Sequence, residues 1–405
     1  MAIELTNLLI IVAIGFATSF ALGFVPSLRV PAVVLQIVAG IVVGPAVLGW
    51  VEIDDAVEVL SILGLAFLLF LAGLEIDYER LRGSLAAEAV AGFVISFALA
   101  LAVGGLLDVT GVVGDFLFIA IVLSATSLGV VVPVLRDSGR ADSDFAQLVI
   151  AAASIADFTA IILLTLFFSG QSSSPAVTLI LLAGFVLMVA LLGIAITRAE
   201  RQRQVARAFK RLHGTTAEIR VRGAFLLLVG LTTLATELGL ELILGAFLAG
   251  SVVKLVDREP RAAREALVDK LDAVGFGVFI PVFFVSVGVD FDLEALGHLS
   301  TLAEIPIFVV ALLAVRGLPA LLYRRSFGRR DVVVAALLQA TSLPFIVTAV
   351  AIGTSLGAIS RGSGAAFIAA GLFSVIAFPA IALSLLGGAF RRRGRATGSV
   401  YSSRM

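Results

Sequence analysis

The sequence predicts an all-α polytopic membrane protein of about thirteen transmembrane helices, and three observations carry that prediction. The 405 residues are 60% hydrophobic and only 14% charged, against about 45–50% apolar in soluble domains. The apolar residues gather into thirteen runs, most of them near the roughly 20 residues a helix needs to cross hydrocarbon. Nearly all basic residues fall between alternate runs.

In order, the runs are 5–24, 31–49, 56–74, 85–107, 115–135, 145–168, 176–197, 223–238, 240–256, 272–289, 303–322, 332–353 and 365–388. The segment before the first holds Glu4 and no basic residue, so it lacks the positive region of a secretory leader, and the first run is read as a retained helix. Runs eight and nine are short and meet at Glu237-Leu238-Gly239-Leu240-Glu241, so they are either two helices or one broken helix. Charge supports two. With thirteen spans, every Lys and Arg except Arg316 and Arg361 falls in one set of loops, while Glu52, Asp54, Asp55, Asp108, Asp115, Asp290, Asp292 and Glu294 lie on the other side. The positive-inside rule then puts the N-terminus outside and the C-terminus in the cytoplasm, in an inner or plasma membrane. The cytoplasmic stretch 198–222 is expected to be a basic surface helix or a solvated loop, and the short basic tail 391–405 leaves no room for a soluble regulatory domain.

The net charge of zero gives no field for nucleic acid, and the absence of cysteine removes disulfides and thiolate chemistry. His213 and His298 stand far apart in loops, so no metal centre or cofactor is expected. No HExxH or GxSxG pattern lies in a span, which makes an intramembrane enzyme the least favoured reading.

Two matches recur at one spacing of 215 residues. Ala125-Thr126-Ser127-Leu128 returns as Ala340-Thr341-Ser342-Leu343, and Gly73-Leu74-Glu75-Ile76-Asp77 resembles Gly288-Val289-Asp290-Phe291-Asp292. Seven spans separate the members of each pair. An odd number means that the copies, about 56–168 and 272–388, cross the membrane in opposite senses, as in the inverted repeats of secondary transporters. Both ATSL segments carry helix-weakening residues, so Ala125, Gly129 and Pro133 in one run and Thr341, Ser342 and Pro344 in the other are expected to form unwound segments lining a cavity. The alternative is that Gly and Pro merely kink these helices.

Two charged residues lie deep within runs, Asp157 in the sixth and Arg316 in the eleventh; Glu88, near the beginning of the fourth, is read as interfacial. Each of the two deep charges costs roughly 2.5–3.5 kcal/mol to insert if ionised, which argues for a function. A carboxylate at that depth escapes standing as a bare charge either by protonation or by binding a cation, so proton and metal ion compete for one group. Ser154, three residues earlier on the same helix face, is a further oxygen donor to Na+ or K+, and Thr126, Ser127, carbonyls of the broken fifth run and water complete the shell. Arg316 balances charge without carrying a proton. The competing possibility is a permanent Asp157–Arg316 pair that only locks two helices.

The segments GIVVGPAVLG from Gly40, LGLAFLLFLAGLEID from Leu63, SATSLGVVVPVLRDSG from Ser124, LGAFLAG from Leu244 and PVFFVSVGVDFDL from Pro281, with the Asp157 segment, resemble the monovalent cation:proton antiporter superfamily, especially its Kef-type and bacterial and archaeal Na+/H+ exchanger members. The resemblance spans almost the whole chain. It implies an antiporter domain over 1–390, a homodimer, and a core that moves in an elevator-like alternating-access cycle, with two crossed, partly unwound helices flanking the ion-binding aspartate. Asp157 matches that aspartate, Thr126 lies in the matching unwound segment, and Arg316 falls where relatives carry a basic residue. Ala156 departs from the pattern, since many relatives have Asp, Asn or Gln there. One titratable carboxylate beside a fixed Arg implies electroneutral exchange of Na+, or next K+, for H+. A channel, a sodium-coupled organic-solute symporter or a non-transporting sensor shares enough of these features to stay open.

Overall fold

The computed structural model describes residues 5–24, 31–75, 84–111, 113–140, 143–168, 175–200, 218–257, 259 and 261–398. Much of the basic stretch 198–222, including His213, lies outside them, as do Ile76, Asp77 and the end of the tail. Among the described residues the chain is helical throughout, with no strand. Ten helical stretches are long and apolar enough to cross a membrane, and Ala32–Val43, Leu242–Val256 and the interrupted stretch Phe116–Val132 are shorter apolar ones. Together these account for the thirteen runs.

The chain forms two compact units. The first comprises residues 1–28, 32–76 and 161–291, and the second 29–31, 77–160 and 292–405.

In the first unit, α1 (Thr6–Phe24), α2 (Ala32–Val43), α3 (Asp55–Glu75), α8 (Pro175–Glu200), α9 (Ile219–Glu237), α10 (Leu242–Val256) and α11 (Arg261–Val274) are followed by a π-turn at Gly275–Phe279 and α12 (Ile280–Val289). Lipid is as apolar as leucine, so membrane helices gain by close backbone approach at small residues. The sequence supplies them in pairs. A Cβ on Gly40 of α2 would run into the Val285 carbonyl of α12, and one on Gly288 into the Ile37 carbonyl of α2. Gly73 and Gly250 do the same between α3 and α10, against the carbonyls of Phe247 and Phe70. Runs eight and nine are two helices. Gly239 turns the chain at φ 72°, and Gly245 of α10 folds back against Leu231 of α9.

The second unit holds α4 (Ser84–Val109), α5 (Phe116–Ser124), α6 (Leu128–Asp137), the first part of α7 (Asp144–Phe168), α13 (Leu299–Leu312), a π-turn at Leu313–Gly317, a 3-10 stretch at Leu318–Arg325, α14 (Arg329–Gln339), α15 (Pro344–Ser355) and α16 (Arg361–Gly398). α16 thus continues as a helix into what was expected to be a tail. A core of Val131, Leu135, Phe145, Val149, Val334 and Leu338 joins α6, α7 and α14. Phe308 and Phe367 stack with centroids 4.5 Å apart between α13 and α16. Asp115 caps α5 by accepting from the Phe118 amide at 2.9 Å.

Runs five and twelve are both interrupted. The fifth leaves the helix over Ala125, Thr126 and Ser127, and the twelfth over Ala340 to Leu343. Gly129 and Pro133 are not unwound, contrary to expectation, but lie inside α6. The missing amide of Pro133 frees only the carbonyl four residues back, at Gly129, and so leaves residues 125–127 untouched. Pro344 is the first residue of α15 rather than part of the break, a position where the absent N–H needs no partner.

Candidate functional site

α5 ends at Ser124, whose hydroxyl donates back to Ile121 O at 2.8 Å. Ala125 is then extended, at φ −76° and ψ 159°. An interruption at membrane depth strands backbone groups that water cannot reach, so each must find a partner within the protein. Asp157 supplies two acceptors. Its Oδ1 accepts from the Thr126 amide at 2.9 Å and its Oδ2 from the Leu128 amide at 3.3 Å. The carboxylate therefore sits at the N-terminal end of α6, where the helix dipole favours negative charge. It is half-buried, while Ala156 beside it is fully buried.

The break is also stitched to the one in the twelfth run. The Ser127 amide donates to Thr341 O at 2.8 Å, and the Thr126 hydroxyl donates to Gln339 O at 2.8 Å. Both Thr126 and Gln339 are 1% exposed.

Arg316, also 1% exposed, reaches the same threonine from the π-turn. Its Nε and Nη2 donate to Thr126 Oγ1 at 2.9 and 2.6 Å, and its Nη1 to Ser96 Oγ of α4 at 3.2 Å. Ser96 in turn donates to Val315 O at 2.9 Å. A hydroxyl offers one hydrogen and two lone pairs, and Thr126 has spent all three. In this structure that hydroxyl oxygen holds the guanidinium, which leaves the backbone carbonyl as the oxygen Thr126 can offer a cation. Nor are Asp157 and Arg316 a direct ion pair among the described residues; Thr126 stands between them, amide to one and hydroxyl to the other.

Ser154 lies on the face of α7 that carries Asp157 and donates to Ile150 O at 2.9 Å, which leaves its lone pairs available. Ser127 takes part through its backbone. At the second break the Ser342 amide donates to Ser374 Oγ of α16 at 3.2 Å, and that hydroxyl's hydrogen is shared between Ser342 O and Gly371 O. Thr341 donates to Leu337 O at 3.0 Å. Two nearly identical segments thus meet unlike partners, a carboxylate at one and a hydroxyl at the other.

Sequence reasoning missed Ser96, Tyr323, Gln339 and Ser374. The Gln339 side chain donates to the buried Tyr323 hydroxyl at 3.0 Å. A signal for Gln339 existed, because it stands directly before the second ATSL segment, where the first has Ser124. Ser96 and Ser374 are small hydroxyls in apolar runs and carried none.

The profile of the family described as sodium/hydrogen exchanger, transmembrane, matches residues 12–385. The YjbQ protein of Bacillus subtilis is 31% identical over 395 residues, which is 93% of this chain and 62% of that protein; the chain thus spans about three fifths of that relative's length. The Na+/H+-K+ antiporter GerN of Bacillus cereus is 30% identical over 277 residues, covering 66% of this chain and 67% of GerN. Among solved structures, the sodium proton antiporter MjNhaP1 of Methanocaldococcus jannaschii superposes with a TM-score of 0.65 at 20% identity, over 94% of this chain and 99% of that one. That last likeness is one of fold.

Proposed function

The chain belongs to the sodium/hydrogen exchanger family, and from that premise we propose that it exchanges a monovalent cation, Na+ first and K+ next, for H+ across the membrane. The observation that carries the reading is a single half-buried carboxylate, Asp157, held across a break in a membrane helix by the amides of Thr126 and Leu128.

Asp157 binds the cation and the proton in turn. Two amides occupy one lone pair on each of its oxygens, and the remaining lone pairs take either a proton or a hard cation. Ser154 Oγ and the carbonyls of the 125–127 segment are the next donors, with water filling the rest of the shell. Arg316 stays charged throughout and fixes Thr126, so the break keeps its shape whichever ligand is present. With one exchanging carboxylate, one cation replaces one proton and the cycle is electroneutral. Protons compete with the cation, so the half-saturating cation concentration rises as pH falls.

The same reading takes the two copies as inverted repeats, places the N-terminus outside and the C-terminus in the cytoplasm of an inner or plasma membrane, and makes the protein a homodimer whose core moves in an alternating-access cycle. The domain division is an antiporter domain over 1–390, with 198–222 and 391–405 cytoplasmic. What supports it is the charge asymmetry of the loops, the paired interruptions of runs five and twelve, and the relatives' names. GerN keeps K+ in view as a second cation.

The test is reconstitution into vesicles containing a pH dye, acid inside, with Na+, K+ or Li+ added in turn. Alkalinisation that needs a cation and vanishes in Asp157→Asn is expected. No response of the wild-type protein to any of the three would overturn exchange, and a current whose reversal potential tracks unequal stoichiometry would overturn electroneutrality.

A further inference from the structure

Among the described residues, only two carboxylates have a buried side-chain oxygen with no hydrogen-bond partner: Glu88 and Glu304. Both lie in the second unit, neither belongs to the Asp157 site, and each sits within the first two turns of its helix, α4 or α13. Their separation is one residue more than the 215 that relates the two ATSL segments, so they are counterparts in the two copies to within one position. A buried carboxylate oxygen without a partner is costly unless it exchanges a proton or meets water during function.

Glu304 is also wired to the surface. Ser363, buried in the first turn of α16, hydrogen-bonds to its carboxylate. The hydroxyl of Ser360, which is exposed, donates to Ser363 Oγ at 3.0 Å. From Glu304 to Arg316 is about 18 Å along the helix axis, so this carboxylate lies well toward one end of the span. At Glu88 the nearby polar group is Tyr323, whose hydroxyl lies 3.4 Å from the position of a Cβ on Gly92, one turn further along the same face of α4. Tyr323 accepts from Gln339, and Gln339 O accepts from Thr126.

We propose that Glu304 and Glu88 are the two proton-transfer carboxylates of this unit, one toward each face of the membrane, passing protons between water and Asp157. The assignment of faces rests on the inverted repeat and the exchange activity proposed above. At Glu304 the step balances through the hydroxyls. A hydronium outside gives its proton to Ser360 Oγ, Ser360 passes its own hydrogen to Ser363, and Ser363 passes its own to the carboxylate. Water and a carboxylic acid result, and both serines end as they began. Other charged or titratable groups on the elements packed against α13 are Arg361 of α16, Glu294 and His298 beside the short 3-10 turn Ala295–Gly297, Asp115 capping α5, and Arg316. Against α4 they are Asp115, Arg316, Tyr323, Arg324 and Arg325. Among the described residues, the hydroxyl chain that reaches an exposed group is the one at Glu304.

Right-side-out and everted membrane vesicles separate the two roles, with pH varied on one face at a time. Glu304→Gln is expected to slow exchange about tenfold when protons are scarce on the outer face, and not when they are scarce on the cytoplasmic face; Glu88→Gln is expected to do the reverse. Glu304→Asp should recover most of the rate, and Ser363→Ala should reproduce the one-sided loss even if Glu304→Gln folds poorly by size-exclusion chromatography. Wild-type pH profiles in the Ser363→Ala and Glu88→Gln proteins, or losses that ignore the face, would overturn the assignment. A wild-type protein that exchanges nothing would instead overturn the activity on which it rests.

Discussion

Arg316 reaches Asp157 only through Thr126: the guanidinium donates to the threonine hydroxyl at 2.9 and 2.6 Å, and the threonine amide donates to the carboxylate at 2.9 Å. A direct buried ion pair would hold its own carboxylate too firmly to trade one cation for another. An intervening neutral residue passes on the position of the charge without committing the carboxylate to it. Thr126→Val keeps the shape and removes the hydroxyl, which leaves a buried guanidinium short of acceptors. A loss of about 2 kcal/mol in stability is expected, with exchange largely lost. Thr126→Ser should restore both, read by apparent melting in detergent and by vesicle transport.

Close backbone approach in the first unit gives a second prediction. Gly250→Ala places a methyl against the Phe70 carbonyl, where backbone rather than a flexible side chain must yield. An overpacking cost of about 1–3 kcal/mol is expected. Gly230→Ala is the control, since nothing lies within 4 Å of a Cβ there. Equal melting temperatures for the two variants would refute the close packing of α3 on α10.

The Arg140–Asp331 pair ties the loop after α6 to the first turn of α14. Its two contacts measure 2.6 and 3.4 Å, and the guanidinium lies 4.9 Å from the centre of the Phe145 ring. Both side chains keep partial exposure, 33% and 24%, so a double-mutant cycle should give a coupling of no more than about 1 kcal/mol. Arg140→Lys should lose most of it, because an ammonium has neither the fork nor the flat face.

Asp54 supplies a pH-dependent contribution outside the spans. Its carboxylate accepts from the Val57 amide at 2.9 Å and from Asn7 Nδ2 at 3.0 Å, and these bonds, the Val57 amide first, hold it below the usual carboxylate range. A depressed pKa means that the stabilisation is complete above the unfolded value of about 3.9 and is lost as pH falls through the folded value. Asp54→Asn should flatten the acid limb of the melting-temperature profile, and an unchanged limb would show that the carboxylate contributes nothing there.

The thirteen runs and the hairpin between the eighth and ninth were legible because hydrocarbon imposes a length on every crossing helix and charge sorts the loops. The interruptions at Thr126 and Thr341 were legible through their repetition. Their extent was not: Gly129 and Pro133 suggested a longer unwinding, whereas the break is set by where Asp157, Thr341 and Gln339 can satisfy backbone groups, a long-range matter that no local residue announces. The part played by the Thr126 hydroxyl was hidden for the same reason, since its partners lie 190 and 213 residues away.

The winding of the eleventh run changes twice in thirteen residues, wide at Leu313–Gly317 and tight at Leu318–Arg325. A π-turn takes up one residue more than an α-turn over nearly the same rise. Deleting a single residue there would let the helix close into regular α form with its flanks nearly in place, whereas rewinding it as α at its present length would swing everything beyond it by about 100° around the axis. After such rewinding Tyr323 would face away from Gln339. The winding of this stretch is therefore as much a part of the site as the identity of any side chain on it.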